Sequence, residues 1–231
     1  MNEQVTQDGR RRGGRRERRD IRTRPDHAML PTLDIRLPLT EPMDAEQIEK
    51  IDTASLDILE EVGVVFRDEI ALEDWQRAGA DVRGERVHLD RHMVKSLIST
   101  IPSSITLHAR NPEKTVALGG RKSIFVPMTG APYLRDLEAE RRAPTLDDLA
   151  TFHKLSHMLP AMHSSAHHIV EPMDHPISHR HLRITHSSML HSDKVFMGMT
   201  TSGKNAEDVL DMCAILFGEE YLETHSVVVG N

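Results

Sequence analysis

The stretches SSAHHIV (164–170), KVFMGM (194–199) and SVVVG (226–230) decide the fold, and helical patterns at 177–190 and 205–217 lie between them. A strand needs a long crossover before a parallel partner, and a helix is the usual crossover. The second and third stretches are apolar at consecutive positions, which is typical of parallel strands that helices cover. This part of the chain therefore predicts parallel βαβ units.

The region before these strands has an α+β character. Asp44 with Gln47 matches a capping box at the start of a predicted helix. The sequence also predicts a hairpin over 81–89 that turns at Gly84. Residues that recur at helical spacing predict a buried stripe on the first helix. They are Ile48, Ile51, Ser55, Ile58, Leu59 and Val62.

A further strand and helix lead into the repeat. Residues 123–128 are interpreted as a parallel strand, and Thr145 with Asp148 opens the next helix. Because the last strand feeds nothing after Asn231, we interpret the chain as the front part of a larger α/β protein. Three parts are predicted: a basic disordered tail and linker over 1–40, an α+β extension over 41–120, and the parallel repeat over 121–231.

Composition argues against several classes of protein. Aromatic residues make up only 3% of the chain, so it has no aromatic platform on which nucleic-acid bases could stack. The single cysteine, Cys213, excludes an intrachain disulfide framework and is predicted to be a buried thiol. No apolar run reaches the roughly 18 residues that a membrane helix needs. We therefore expect a cytoplasmic protein with no membrane partner.

Arginines cluster in the first 24 residues, although the net charge of the whole chain is −7. The run from Arg10 to Arg19 has no apolar periodicity and is predicted to be disordered. Such a basic run is usually a solvated tail, but it can also bind nucleic acid or an acidic protein. Nucleic-acid binding is not expected of the rest of the chain.

Four blocks occur in order along the chain: LDILEEVGV (56–64), RAGADV (77–82) with PSS (102–104), LHARNP (107–112), and FMG (196–198) with TSG (201–203). Together they resemble the trimethylamine methyltransferase family of corrinoid-dependent methyltransferases. The arginine-rich start followed by two glycines is also similar to many members. Each block alone is short, so their order and spacing carry the resemblance.

The resemblance implies a TIM-type (βα)8 barrel with an amino-terminal extension, of which this chain would contain about the first half. It implies an enzyme that moves a methyl group from a tertiary or quaternary amine, such as trimethylamine or glycine betaine, to the cobalt of a corrinoid. A partner protein would carry that corrinoid, and this chain would bind no cofactor directly. Some members use a pyrrolysine in the carboxy-terminal half of the barrel, beyond the region of this chain.

In a barrel the active-site groups lie at the carboxyl ends of the strands. Glu171 directly follows a strand and is the best candidate for a catalytic group or for holding a cationic amine, with a helix-cap or ion-pair role as the alternative. Gly198, at another strand end, would let a ligand approach the backbone. Asp174 is predicted to cap the helix that follows it. Four further positions are candidates for binding the substrate: Gly130, Thr200, Thr201 and Asn231.

Fifteen histidines raise the alternative of a metal-dependent barrel hydrolase. His153 and His157 are one helical turn apart, a spacing that can chelate zinc. However, no acidic residue lies between them as in the zinc-protease helix motif, so this remains the weaker hypothesis. On the alternation of a regular strand, His167 is predicted to share a face with Glu171, and His168 to point the other way.

A non-catalytic reading also remains open. The chain could be a half-barrel that serves as an interaction module, or a gene fragment. A half-barrel leaves the edges of its first and last strands unpaired, and unpaired edges promote association. We therefore expect a homo-oligomer or an aggregation-prone chain.

Overall fold

The computed structural model of the chain describes residues 28–38, 40–135, 137 and 140–230. Most of the predicted basic tail and the candidate Asn231 lie outside these described residues. The described chain divides into two compact units: a larger one that contains residues 28–34 and 105–230, and a smaller one of residues 35–104. This division falls earlier in the chain than the predicted boundary after residue 120.

Helices and short strands alternate along most of the described chain. In chain order the elements are β1 (Leu33–Asp34), α1 (Ala45–Asp57), a π-helical turn (Ile58–Val62), β2 (Val64–Val65), α2 (Glu69–Arg77), β3 (Asp81–Arg83), β4 (Arg86–His88), α3 (Arg91–Ser99), β5 (Ser104–Leu107), a 3-10 turn (Pro112–Lys114), β6 (Val116–Gly119), β7 (Lys122–Ser123), α4 (Leu146–Met158), α5 (Ile177–His191), β8 (Phe196–Gly198), α6 (Gly203–Phe217), α7 (Glu219–Leu222) and β9 (Val228–Gly230).

The smaller unit contains α1 to α3 and an antiparallel sheet in the order β2, β4, β3. The predicted capping box is confirmed, because the Asp44 carboxylate accepts from the Gln47 amide at 2.9 Å and the Gln47 side chain accepts from the Asp44 amide at 3.0 Å. Gly63 ends the π-helical turn with a φ of 74°. A Cβ at Gly63 would lie 2.6 Å from the Val87 carbonyl oxygen, so the chain requires glycine there.

The prediction of a buried stripe on the first helix is wrong for the described chain. Ile48, Ile51 and Ile58 are 51%, 54% and 57% exposed, whereas Leu56 is 5% exposed and is the buried residue of α1. Helical periodicity identifies a face that favours burial, but it does not say what covers that face. Within the smaller unit, α1 turns a different face inward.

Parallel pairing confirms the predicted βαβ character of the larger unit. β8 and β9 are parallel, with Phe196 opposite Val228. Single parallel bridges join Ser164 to Val195 and Ala131 to Val170. Four chain segments, around residues 131, 164–170, 195–198 and 228–230, are therefore neighbours in the order of the sequence, with α4, α5 and α6 as the three crossovers.

The prediction of a regular parallel strand over 123–128 is wrong. Lys122–Ser123 instead pairs antiparallel with Leu33–Asp34, which lies in the predicted linker. After β7, the Phe125 carbonyl accepts from the His163 amide at 2.9 Å. The start of this stretch therefore pairs with β1, and its backbone contact with the next parallel segment is made further along, at Phe125.

The segment 195–198, which includes β8, is covered on both faces as the apolar run predicted, with Met197 half-buried. On one face Phe196 packs with Val209 and with Cys213, a fully buried thiol whose pKa burial raises to about 11. On the other face Val195 packs with Leu107 and Val116 from the β5–β6 pair. Helices thus cover one side of the parallel segments, and the β5–β6 pair covers the other side near the start of β8. Among the described helices, none is long and apolar enough to cross a bilayer.

Candidate functional site

Residues 164–170, predicted as a strand, make only isolated parallel bridges, and a β-bulge at Ala166 interrupts them before Glu171. Ser165 donates its amide to the Val195 carbonyl at 3.0 Å, and Met197 donates to the Ala166 carbonyl at 3.1 Å, so one extra residue fits between these two bonds. Ala166 is fully buried and has a φ of 58°, a region that residues with a side chain rarely adopt. The Ser164 hydroxyl accepts from the Ala166 amide at 2.9 Å and supports this conformation.

Glu171 forms a largely buried ion pair directly after this segment. Its Oε1 accepts from Arg180 Nη1 at 2.6 Å, and the two side chains are 19% and 13% exposed. Arg180, on α5, also donates from Nε and Nη2 to the His175 carbonyl at 3.2 and 2.8 Å. The ion-pair role that the sequence left open is therefore present, and the guanidinium is fixed by two further hydrogen bonds.

His168 and Gly130 complete the surroundings of this carboxylate. His168 Nε2 lies 3.8 Å from Glu171 Oε2. Gly130 has a φ of 82° and donates its amide to the His168 carbonyl at 2.7 Å. A Cβ at Gly130 would lie 3.6 Å from His168 Nε2. We define Gly130, His168, Glu171 and Arg180 as the strand-end cluster.

Sequence reasoning found two members of the strand-end cluster and missed the other two. The prediction for the face of His168 is wrong, because alternation needs a regular strand and the chain bends at His167 and Ile169. Arg180 carried no local signal, since it lies on the next helix and meets Glu171 only in the folded chain. In the structure, His168 lies next to both of the predicted residues, Gly130 and Glu171.

The candidates after β8 have contacts of their own. Thr201 Oγ1 accepts from the Asn205 side chain at 2.9 Å near the start of α6. Thr200 Oγ1 lies 3.0 Å from the place of a Cβ on Gly230. A Cβ at Gly198 would lie 2.6 Å from Val209 Cγ1, so this glycine allows close packing of α6 on the strand rather than ligand approach.

Asp174 caps a different helix from the one predicted. Its Oδ1 accepts from the Leu146 amide at 3.0 Å, at the start of α4. The helix that follows Asp174 begins after Pro176, without a side-chain cap. The prediction was wrong because a carboxylate can reach an orphan amide far away in the sequence as readily as one nearby.

The two histidines of the metal hypothesis have structural contacts. Both ring nitrogens of His153 are engaged, Nδ1 with Ser187 Oγ at 3.0 Å and Nε2 with the His167 carbonyl at 2.8 Å, and burial lowers its pKa to about 4. His157 Nδ1 lies 3.2 Å from Asp193 Oδ1. In the part of the chain that the structure describes, no three His, Cys, Asp or Glu side chains are grouped to hold a metal.

A sequence model of the trimethylamine methyltransferase (MTTB) family matches residues 11–231. The chain belongs to this family. The resemblance inferred from the sequence blocks is thus confirmed.

Curated relatives agree with this assignment. A glycine betaine methyltransferase of Desulfitobacterium hafniense (strain Y51) is 42% identical over 182 residues, covering 79% of this chain and 38% of the relative. The trimethylamine methyltransferase MttB of Desulfitobacterium hafniense (strain DSM 10664 / DCB-2) is 26% identical over 182 residues, covering 76% of this chain and 36% of that protein. A proline betaine:corrinoid methyltransferase of Eubacterium limosum is 32% identical over 114 residues, covering 49% and 23%. The chain thus spans well under half the length of the curated relatives that it matches.

Proposed function

We propose that this chain forms part of a methyltransferase that moves a methyl group from a betaine-type quaternary amine to a corrinoid carried by a partner protein. The observation that carries the proposal is the 42% identity with a glycine betaine methyltransferase. The corrinoid acceptor is inferred from two relatives that are named as corrinoid methyltransferases. We also propose that the parallel segments belong to a (βα)8 barrel, because they neighbour one another in the order of the sequence.

Methyl transfer from a quaternary amine makes modest chemical demands on the protein. The electron pair of reduced cobalt forms the new bond to the methyl carbon, and the electrons of the broken C–N bond stay on nitrogen. The amine departs neutral and needs no proton. The reactivity comes from the corrinoid substrate, and the tasks of the protein are orientation, charge matching and exclusion of water.

Glu171 is the residue that we assign to charge matching. Its Oε1 is occupied by Arg180, whereas Oε2 lies 3.8 Å from His168 Nε2, beyond hydrogen-bond distance. A quaternary ammonium has no N–H to donate, so it is recognised by charge at close contact rather than by a hydrogen bond. A mostly buried carboxylate oxygen suits that task, because attraction between charges is stronger where water is excluded.

The metal-dependent hydrolase has less support than methyl transfer. Its first proposed ligand, His153, already uses both ring nitrogens inside the core. The non-catalytic reading makes a different prediction from methyl transfer, since an interaction module would bind no methylated amine. Binding of glycine betaine therefore separates these functions.

The experiment measures glycine betaine binding to the purified chain by calorimetry and methyl transfer to a Co(I) corrinoid protein from the visible spectrum. We expect Glu171→Gln to weaken binding about tenfold or more, the scale of losing one partner of a partly desolvated charge pair. Glu207→Gln, an exposed change on α6, is the matched control and should leave binding unchanged. If the wild-type chain neither binds glycine betaine nor transfers its methyl group, the non-catalytic hypothesis is supported. If Glu171→Gln leaves binding unchanged, Glu171 is not part of the binding site.

A further inference from the structure

We propose that His168 is a positioning residue for Glu171 and acts through a hydrogen-bonded chain that begins at the buried His167. The inference rests on the proposed role of Glu171 as the group that faces the methylated amine. Its structural support is independent of that role. It consists of the bulge at Ala166, the contact between the two histidine rings, and the position of the second carboxylate oxygen of Glu171.

Two neighbouring histidines just after the bulge are in contact. The His167 and His168 rings meet edge to face, with centroids 4.4 Å apart and an angle of 86° between their planes. Their Nδ1 atoms are hydrogen-bonded to each other. Neighbouring side chains of a regular strand point to opposite faces, so this contact needs an irregular backbone, and the chain bends at His167 and Ile169. Ala166, directly before these residues, has a strained left-handed backbone, which persists only where its surroundings over-determine it.

The ring contact couples the position of the proton on His168 to the position of the proton on His167. Burial lowers the pKa of His167 to about 3 and lowers that of His168, so both rings are neutral near neutral pH. A neutral imidazole has one N–H, and only one of the two facing Nδ1 atoms can donate. If His167 donates, His168 carries its proton on Nε2, the atom that faces Glu171 Oε2.

The opposite tautomer is unfavourable where His168 faces Glu171. His167 Nε2 is buried and has no hydrogen-bond partner among the described residues in either tautomer, so it does not decide between them. In the opposite tautomer, His168 would present a lone pair to the negative Oε2 of Glu171, which lies 3.8 Å away. The arrangement with Nδ1–H on His167 and Nε2–H on His168 replaces this repulsion by an attraction.

Glu171 then has an N–H group facing each of its carboxylate oxygens. Arg180 donates to Oε1 at 2.6 Å, while the His168 N–H faces Oε2 across 3.8 Å. Hydrogen bonds at catalytic groups are often long until the ligand is bound, and a small movement of either side chain closes this gap. Gly130 has no side chain that could come between His168 and Glu171. The place that a Cβ would take at Gly130 is 3.6 Å from His168 Nε2. His168 thus orients Oε2, the oxygen that Arg180 does not bind.

The first test reads the tautomers directly. Long-range 15N–1H correlation spectra of the histidine-labelled chain at neutral pH should show Nε2–H at His168 and Nδ1–H at His167. Glu171→Gln should shift the His168 Nε2 resonance and leave that of His92, an exposed residue of α3, in place. The proposal would be overturned by an Nδ1–H tautomer at His168, or by a His168 Nε2 chemical shift that is the same in Glu171→Gln as in the wild type.

The second test asks whether the N–H donor matters beyond the shape of the ring. His168→Gln keeps a donor close to the place of Nε2, whereas His168→Phe keeps a ring without one. We expect His168→Phe to weaken glycine betaine binding about tenfold, with a smaller loss in His168→Gln. Equal losses in the two variants at equal Tm would show that His168 only fills space. If the wild-type chain binds no glycine betaine, the proposed function fails, and the tautomer spectra still decide whether His168 positions Glu171.

Discussion

Lys194 shows how one buried charge can join two elements. The residue is 2% exposed, and its Nζ donates to the carbonyls of Ser156, Leu159 and Met162 at 2.8, 2.8 and 2.6 Å. These carbonyls lie at and just beyond the end of α4, where a helix has no partners of its own for them. Burial lowers the pKa of Lys194 to about 8, so the ammonium with its three N–H groups still prevails at neutral pH.

Replacement of Lys194 should therefore destabilise the larger unit. Lys194→Met keeps the length of the side chain but removes the Lys194 donor from three carbonyls, of which Leu159 retains the Met162 amide at 3.1 Å. We expect a loss of about 3 kcal/mol in the free energy of unfolding. Urea denaturation followed by circular dichroism measures it. Lys204→Met, at a side chain that is 72% exposed, is the control and should change little. A Lys194→Met chain as stable as the wild type would show that the carbonyls find other partners.

At the scale of elements, α1 carries an apolar face that the described chain does not cover. Ile48, Ile51 and Ile58 are each more than half exposed. They recur at helical spacing, whereas the buried Leu56 points in another direction. Contiguous exposed apolar surface of this kind marks a site of association in soluble proteins. The sequence predicts a homo-oligomer on the basis of unpaired strand edges. The exposed face of α1 is a second surface through which the chain would associate.

Self-association should therefore depend on the apolar face of α1. Changing Ile48 and Ile58 together to glutamate should shift the chain toward the monomer in sedimentation velocity, because charged side chains resist burial. A control with Thr53→Glu and Gln76→Glu adds the same charge at exposed polar positions and should leave association unchanged. Association that survives the double isoleucine change would point to the strand edges instead, and a monomeric wild-type chain would contradict both explanations.

At the scale of the whole molecule, buried neutral histidines make stability depend on pH. Burial lowers the pKa of His153 from 6.5 to about 4 and that of His167 to about 3. Above pH 6.5 neither state binds these protons. As the pH falls from 6.5 to 4, the unfolded chain binds a proton at residue 153 and the folded chain does not. Acid therefore favours unfolding in this window, and stability rises with pH across it.

The contribution of His153 should be measurable from unfolding at several pH values. Between pH 6.5 and 4 it should lower the free energy of unfolding by about 3 kcal/mol. His153→Gln keeps a donor for the His167 carbonyl but does not titrate, so its stability should vary less with pH in this window. His92→Gln, at an exposed position, should keep the wild-type dependence. An unchanged dependence in His153→Gln would mean that other groups govern unfolding in acid.

Local signals predicted much of the secondary structure. The capping boxes at Asp44 and Thr145, the hairpin at Gly84 and the helix over 177–190 depend on hydrogen bonds and periodicities within a few residues, and all are present. The family also followed from short blocks in order. The (βα)8 barrel remains a prediction, although the parallel pairing that it requires is found.

Contacts between distant segments could not be predicted in the same way. Arg180 reaches Glu171 across nine residues, and Asp174 caps a helix that begins 28 residues earlier. The direction of His168 depends on an irregular backbone with bends at His167 and Ile169, where the alternation of a strand no longer applies. The exposure of the α1 face depends on what packs against it rather than on the helix itself.

The sequence by itself determined the parallel βαβ character, the helix starts and the family, because each is written in neighbouring residues. The tertiary structure alone decided the strand-end cluster. The pairing of Glu171 with Arg180 and the approach of His168 depend on how a strand and a helix meet. A carboxylate acquires its partners from whichever groups the fold places within about 3 Å, and no local pattern specifies that distance.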